Sequence, residues 1–319
     1  MVSYGTSINN NQGDRMAAQL LAISGRNLKI YIRDKGAVFF SLLSMFIVIG
    51  LMVFFLGDMN IDAITGLLGQ FPGRDAAADK ENAKLLILTW TCAGVISINA
   101  VTVTLSVFSS MVKDKTSGRM NAIYTAPVNP LAMALGYVLA AWAASVLICM
   151  FTLAITELCC VVSGMEMFTL AVHLKLIGMI MVNSFAYATL MYVVAVFVKS
   201  EGAWSGLGTV VGTLVGFLGG IYLPIGELSQ NIGNIMKCTP ILYGAAMFRD
   251  VMVDDVLRKT FDGAPEEFVR EYRETMGIDL VVGKRQVLVH EEVVLLLIFG
   301  AVFLMMGMFI LKREKKQDR

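Results

Sequence analysis

The chain has 319 residues, 56% of them hydrophobic and only 16% charged, with a mean hydropathy of +0.69. A soluble domain carries about 25% charged residues, so the balance excludes one and marks an integral membrane protein, long enough for one domain of about six spans at about 20 residues each. A net charge of +1 gives no electrostatic case for a nucleic-acid partner.

Residues 1–12 are polar. Over 14–35 the pattern turns helical: Arg15, Gln19, Arg26, Lys29 and Arg33 form one stripe, with Leu20, Leu21, Leu28 and Tyr31 opposite. Such a basic amphipathic helix lies along a membrane surface. The alternative is a signal peptide's charged region, but 36 residues precede the first span and no small-residue cleavage site follows. Span 1 is expected over 37–55, and a polar loop over 57–81 carries two basic and five acidic residues.

Span 2, 84–111, is rich in hydroxyls and amides. Asn99, Thr102, Ser106 and Ser109 share one face by their spacing. That stripe either lines a water-filled path or hydrogen-bonds to a neighbouring helix. A short basic connection, 113–130, leads to span 3 (131–162), an outer turn (163–168) and span 4 (174–198). Glu157, a single acid near the outer end of span 3, has His173 or Lys175 as candidate partners, and its shallow depth favours a structural ion pair over a functional site. Cys92, Cys149, Cys159, Cys160 and Cys238 show no CxxC spacing, and His173 and His290 match no zinc motif, so no metal site is expected. No cluster of acids, histidines and a nucleophile suggests an enzyme.

Span 5 is an apolar run over 203–222 in which Gly208, Gly212, Gly216 and Gly220 recur at every fourth residue. This strips side chains from one face and lets another backbone approach in lipid. Pro224 and Pro240 then bracket a segment too polar to face lipid and too short to span. Ile232 and Met236 sit on its apolar side, with Gln230 and Asn234 opposite. Backbone of this kind survives at membrane depth only where protein or water covers it, so 223–248 is expected as a re-entrant helix pair forming an outer gate of Pro224, Ile232, Met236 and Pro240. A tightly packed helix followed by an ordinary outer loop is the plainer alternative. A small insertion, 250–290, reads as soluble, with a short helix over 265–276 beginning on proline and a hairpin turning at Gly283. Span 6 is expected over 293–311, before the tail KREKKQDR.

Five, three and five basic residues fall in 14–35, 113–130 and 312–319, alternating with acid-leaning loops. Positive flanks stay cytoplasmic, so both termini are expected inside and the chain multi-pass in the cytoplasmic membrane. The expected fold is an all-α polytopic membrane protein: a cytoplasmic N-terminus with an interfacial helix (1–36), a six-span transmembrane domain (37–311) with the 250–290 insertion outside, and a cytoplasmic tail (312–319).

Four pieces together resemble the permease subunits of ABC-2 type transporters, the six-span drug- and polymer-exporter class. They are RNLKIYIRDKGAVFFSLL (26–43), KDKTSGRMNAIYTAPVNP (113–130), GGIYLPIGELSQNIGNIMKCTPILYGAAMFRD (219–250), and the count and direction of spans. In the second piece Lys113, Asp114 and Lys115 occupy, without a Glu, the charged place that the family has before its glycine. The resemblance implies an exporter of a drug, peptide or lipid-like substrate, built from two permease copies or a permease and a paralogue, with two separate ABC ATPase subunits that hold ATP and magnesium. It implies coupling to the ATPase through Lys113, Asp114, Lys115, Gly118, Arg119 and Pro127, and a substrate path along Asn99, Thr102 and Ser106 of span 2 and Thr209 and Thr213 of span 5. Membrane lipid is the other expected partner, and this chain itself is expected to bind no cofactor. The sequence has no GxxxxGK[ST] phosphate loop, which agrees with ATP held elsewhere. An ion-gradient-driven transporter or channel is the competing class; it would place several ionisable residues near mid-membrane and discontinuous helices in two repeats, whereas this chain offers only the shallow Glu157 and one broken segment.

Overall fold

The computed structural model describes residues 3–51, 57–120 and 128–317, with the side chains of 13–43, 45–51, 57–120 and 128–311. The long helices start where polar side chains stop the preceding segment. Asp75, Asn129, Thr169 and Ser200 each accept a first-turn backbone N–H and so begin α4 (Ala76–Thr116), α5 (Pro130–Val162), α6 (Leu170–Phe197) and α7 (Glu201–Leu218). Before them lie α1 (Ser3–Arg33), α2 (Lys35–Leu51) and α3 (Gly57–Leu68). After them come a 3-10 turn at Ile225–Glu227, α8 (Gln230–Lys237), α9 (Pro240–Thr260), α10 (Glu266–Thr275), an antiparallel hairpin of β1 (Leu280–Val282) and β2 (Arg285–Val287), and α11 (Val289–Gln317).

Among the described residues α4, α5, α6 and α11 are long and apolar enough to cross a membrane, and the pair α1–α2, bent by 69°, makes a fifth candidate. The bend falls at Asp34, whose carboxylate accepts the Ala37 N–H at 3.0 Å and restarts the helix. Helix α7 stops at Leu218 rather than running on to 222. Gly219 caps it, and Gly220 takes φ +61, a left-handed conformation that ends helices and that glycine adopts without strain. It is not among those candidates, so the structure supports four or five spans where six were expected.

Helix α4 is the axis. Its 41 residues span about 60 Å at 1.5 Å per residue, twice the ~30 Å hydrocarbon thickness. One apolar core surrounds its second half, with Ile96, Val103 and Phe108 against Tyr137 of α5, Leu176 and Tyr187 of α6 and Leu296 of α11. Helix α11 lies close on α6 because Gly300 and Gly307, on one face, leave room for the Phe185 and Tyr192 rings. A second core surrounds the first half of α4. There Leu86 and Trp90 meet Ile61, Ile64 and Leu68 of α3, Val253 and Leu257 of α9, and Tyr272 of α10.

This second core corrects two expectations. The 57–81 segment is not a plain loop, since it holds α3 and the first turn of α4; and α9 is not a half-span but runs eleven residues beyond Arg249, into the segment expected to be a separate insertion. Arg74 stitches the two segments together: it donates to the carbonyls of Thr260 (2.7 Å) and Asp262 (2.6 Å) and pairs with Asp79 at 2.6 Å. The short helix and the hairpin are present, with Gly283 at φ +67 in the turn, although Pro265 stands at the N-cap of α10 rather than inside it. Helix α1 buries Tyr31 and packs its apolar side on α5, where Gly136 makes room for Ile23, while Leu21 stays exposed.

A Cβ on Gly300 would lie 2.7 Å from the Phe185 ring, whereas one on Gly178 would meet nothing within 4 Å. Gly300→Val is therefore expected to lower the thermal midpoint of the detergent-solubilised protein by an overpacking cost of about 1–3 kcal/mol, with Gly178→Ala unchanged. Equal melting of both variants and the parent would show that α11 does not dock on α6 in this way.

Candidate functional site

The end of the bundle where α4 finishes gathers Arg26, Lys113, Lys115 and Arg119, and is called the basic end; the opposite one is the hairpin end. At the basic end the last turns of α4 tie four other helices together. Asp114 is buried, and a buried carboxylate persists only when its lone pairs are matched. Arg26 of α1 grips it with both guanidinium nitrogens, at 2.8 and 3.2 Å, and the Tyr137 hydroxyl of α5 donates to it at 2.8 Å. The Lys115 ammonium donates to the Val196 carbonyl in the last turn of α6 at 2.6 Å, where the helix dipole favours a cation. The Thr116 hydroxyl donates to Glu201, in the first turn of α7, at 3.1 Å. Lys113, Gly118 and Arg119 stay exposed beside this knot; Gly118 takes φ +74, and Arg119 reaches within 4.0 Å of Asp114. Pro127 lies outside the described residues. Of the residues assigned to this loop, Asp114 and Lys115 therefore hold helices, while Lys113, Gly118 and Arg119 face outward. Sequence reasoning missed Tyr137 and Glu201, which lie in other segments.

The face shared by α4 and α7 is only half filled. Helix α7 buries Trp204, Val215 and Gly216 alone. Its glycines do not form one ridge, because each step of four residues turns the helix by about 40°. Gly208 faces Leu105 of α4, Gly212 faces open space, Gly216 lies under the Tyr222 ring of the following turn, and Gly220 lies beyond the helix. The hydroxyl stripe divides as well. Asn99 is buried and donates to Thr152 of α5 at 2.9 Å, so it holds two helices together. Thr102 and Ser106 are half-buried, and Thr209 and Thr213 are exposed and bonded only to carbonyls of their own helix. A second polar cluster, in which Asn183 donates to the Ser97 carbonyl and Ser145 to Ser184, locks α4, α5 and α6 together.

At the hairpin end the chain turns back as its prolines require. Pro224 precedes the 3-10 turn, and Pro240 opens α9 at a position where no N–H is needed. Within α8 Met236 is buried and Ile232 is exposed. Behind them stands Arg249, 1% exposed and without a carboxylate partner among the described residues. Its guanidinium donates to the carbonyls of Gly219 (3.1 Å), Gly220 (2.8 Å) and Gly277 (3.4 Å), and its carbon lies 4.2 Å from the centroid of the Trp90 ring. The Trp90 indole N–H in turn donates to Met276 O at 2.8 Å. Carbonyls at the negative end of α7 and an aromatic face together replace the missing anion. The sequence signal that could have found this clamp is an arginine closing the apolar stretch 241–248. Nearby, Arg273 holds Asp279 (2.8 Å) and Asp250, and burial pushes the Asp250 carboxyl above its ordinary range while Arg273 pulls it back. On the far side of the bundle, Glu157 takes His173, not Lys175, at 2.9 Å and accepts the Phe168 N–H at 3.0 Å.

A family model described as ABC-2 family transporter protein matches residues 77–309, which takes in everything from the first turn of α4 to near the end of α11. No curated protein matches the chain.

Arg249→Met would remove the cation–π contact and leave buried carbonyls unpaired, at about 1–3 kcal/mol for each unsatisfied group. The expected result is a lower thermal midpoint in detergent, with Arg249→Lys in between because an ammonium cannot reproduce the fork. A methionine variant that melts with the parent would show that the clamp holds nothing.

Proposed function

The chain belongs to the ABC-2 family of transporters, and from that premise we propose that it is the membrane-spanning permease subunit of an ATP-driven exporter that moves a hydrophobic or amphipathic substrate outward by alternating access. In this reading α2, α4, α5, α6, α7 and α11 are the six spans, the basic end is cytoplasmic, and both termini lie there. Two ABC ATPase subunits bind ATP and magnesium, and the permease works with a second copy of itself or a paralogue.

The knot on Asp114 carries the proposal. One turn of α4 is bonded to α1, α5, α6 and α7, and the exposed Lys113, Gly118 and Arg119 continue directly from it. A push delivered to that surface is passed to five helices at once, and along α4 to the opposite end. The half-filled α4–α7 face, with Thr102, Ser106, Thr209 and Thr213 and the uncovered Gly212, supplies what a second subunit would complete: a path with apolar walls, scattered hydroxyls, and room for close backbone approach. Arg249 pins the end of α7 beneath the re-entrant segment, so Pro224, Met236 and Pro240 move with that helix as an outer gate, with Ile232 on its open side.

Reconstitution with the partner ATPase tests the reading. Gly118→Val forces a β-branched residue into a left-handed conformation, a strain of about 1–3 kcal/mol, and should leave membrane insertion intact while uncoupling ATP hydrolysis from transport. Arg119→Cys should cross-link to the ATPase subunit. Absence of that cross-link, or transport in ATP-free vesicles driven by an ion gradient alone, would sink the proposal.

A further inference from the structure

Helix α1 carries its charge on the side turned away from the bundle. Asn27 and Tyr31 are buried, while Lys29 and Arg33 stand exposed on the opposite face, with Arg26 at its border. The three cations recur at i, i+3 and i+7 and cover about 10 Å of one stripe. Ala22 and Gly25 beside them leave a shallow groove, since a Cβ on Gly25 would meet nothing within 4 Å, and the exposed Leu21 and Ile30 stand at its edges.

The groove lies at the depth of a membrane edge. Helix α1 crosses α5 at Gly136, about 9 Å inside the start of that helix and already within its apolar run. Past the 69° bend at Asp34 the chain enters α2, where Phe39, Phe40 and Phe46 are exposed as lipid-facing side chains are. A helix packed sideways on a span at that depth shows its far face to the headgroup layer, which is about 5–8 Å thick on each side of a bilayer.

We propose that this groove binds the phosphodiester headgroup of an anionic phospholipid, with the acyl chains running past Leu21 and Ile30. Lys29 and Arg33 make no ion pair among the described residues, so both are open to a ligand. Arg26 uses three of its five N–H groups on Asp114 and Asn27 and keeps two for the groove. Guanidinium groups take phosphate oxygens in pairs, and an anionic leaflet draws basic segments that adjoin a span. The charge also selects against a zwitterion. No acid stands between Arg15 and Arg33, Asp34 caps α2, and Asp114 is buried, so the ammonium of a zwitterionic headgroup would meet only cations. Residues 1–12 and 121–127, which adjoin α1 and α4 in sequence, include no acid, and 312–319 is net basic.

The inference rests on the basic end lying at a membrane surface and needs no ATPase, so it survives or fails independently of ATP-driven export. The full-length protein in mixed micelles would be offered phosphatidylglycerol, phosphatidylcholine and phosphatidylethanolamine with identical chains, and the retained lipid counted by native mass spectrometry. Phosphatidylglycerol should be retained about tenfold over the other two, a preference equivalent to about 1.4 kcal/mol. The double variant Lys29→Gln, Arg33→Gln alters exposed side chains only, and should lose the preference while melting with the parent. Lys259→Gln, Arg270→Gln removes the same charge from exposed sites at the hairpin end and should keep it. Purification in phosphate buffer should leave the retention unchanged, because inorganic phosphate has no chains for Leu21 and Ile30 to hold; displacement by phosphate would overturn the assignment to a lipid. Equal retention of the three lipids by the parent, or a preference that persists in the Lys29 and Arg33 variant, overturns it and leaves this face to a protein partner. Equal loss in both double variants would trace the preference to net charge and overturn it as well.

Discussion

The continuity of α4 governs this molecule. Its 41 residues contain no proline, and the helix is unbroken from Ala76 to Thr116. Because it is about twice as long as a bilayer core is thick, one face pattern has to satisfy two environments: lipid-embedded packing around Val103 and Phe108, and a compact subdomain around Leu86 and Trp90. It is clamped at its last turn by Asp114 and, about 21 Å inside its start, by the Trp90–Arg249 contact.

The two clamps answer the cost of burying charge in opposite ways. Asp114 is matched by a second charge, with the Tyr137 hydroxyl completing its shell, and removing either partner would strand an ion at low dielectric. Among the described residues Arg249 has no carboxylate partner. It is held by helix-end carbonyls and a π face, groups that belong to the backbone and to a packed ring. The first arrangement can be opened by anything that competes for Arg26, an exposed residue; the second is sealed and opens only if α7 and the hairpin end come apart.

Much of the fold was legible in the sequence because hydropathy and capping act locally. The apolar runs of spans 2, 3, 4 and 6 became α4, α5, α6 and α11, and the two prolines fixed the turn-back between α7 and α9. The length of α7 was misread because apolar composition continues past Leu218, while the backbone is ended by the left-handed Gly220, which composition does not report. The glycine spacing was legible but its geometry was not: a four-residue period drifts around a helix, so Gly208, Gly212 and Gly216 meet three different surroundings. The second core was hidden because its halves, around Ile61 and around Val253, are joined only by tertiary packing. Asp114 could be assigned to a charged loop, but Tyr137 as its partner depends on how α5 lies against α4, which no local pattern encodes.

That divided second core has a consequence for biogenesis. Ile61, Ile64 and Leu68 of α3 share this core with α4, close behind them in sequence, but Val253, Val256 and Leu257 of α9, which complete it, come about 190 residues later. At synthesis rates of about 5–20 residues per second, the half-built core of α3 and α4 waits roughly 10–40 s for α9 with part of its apolar surface open. During that interval it must be shielded by the insertion machinery, by a chaperone or by the bilayer surface. Chains truncated before α9 would keep that apolar surface of α3 and α4 open permanently.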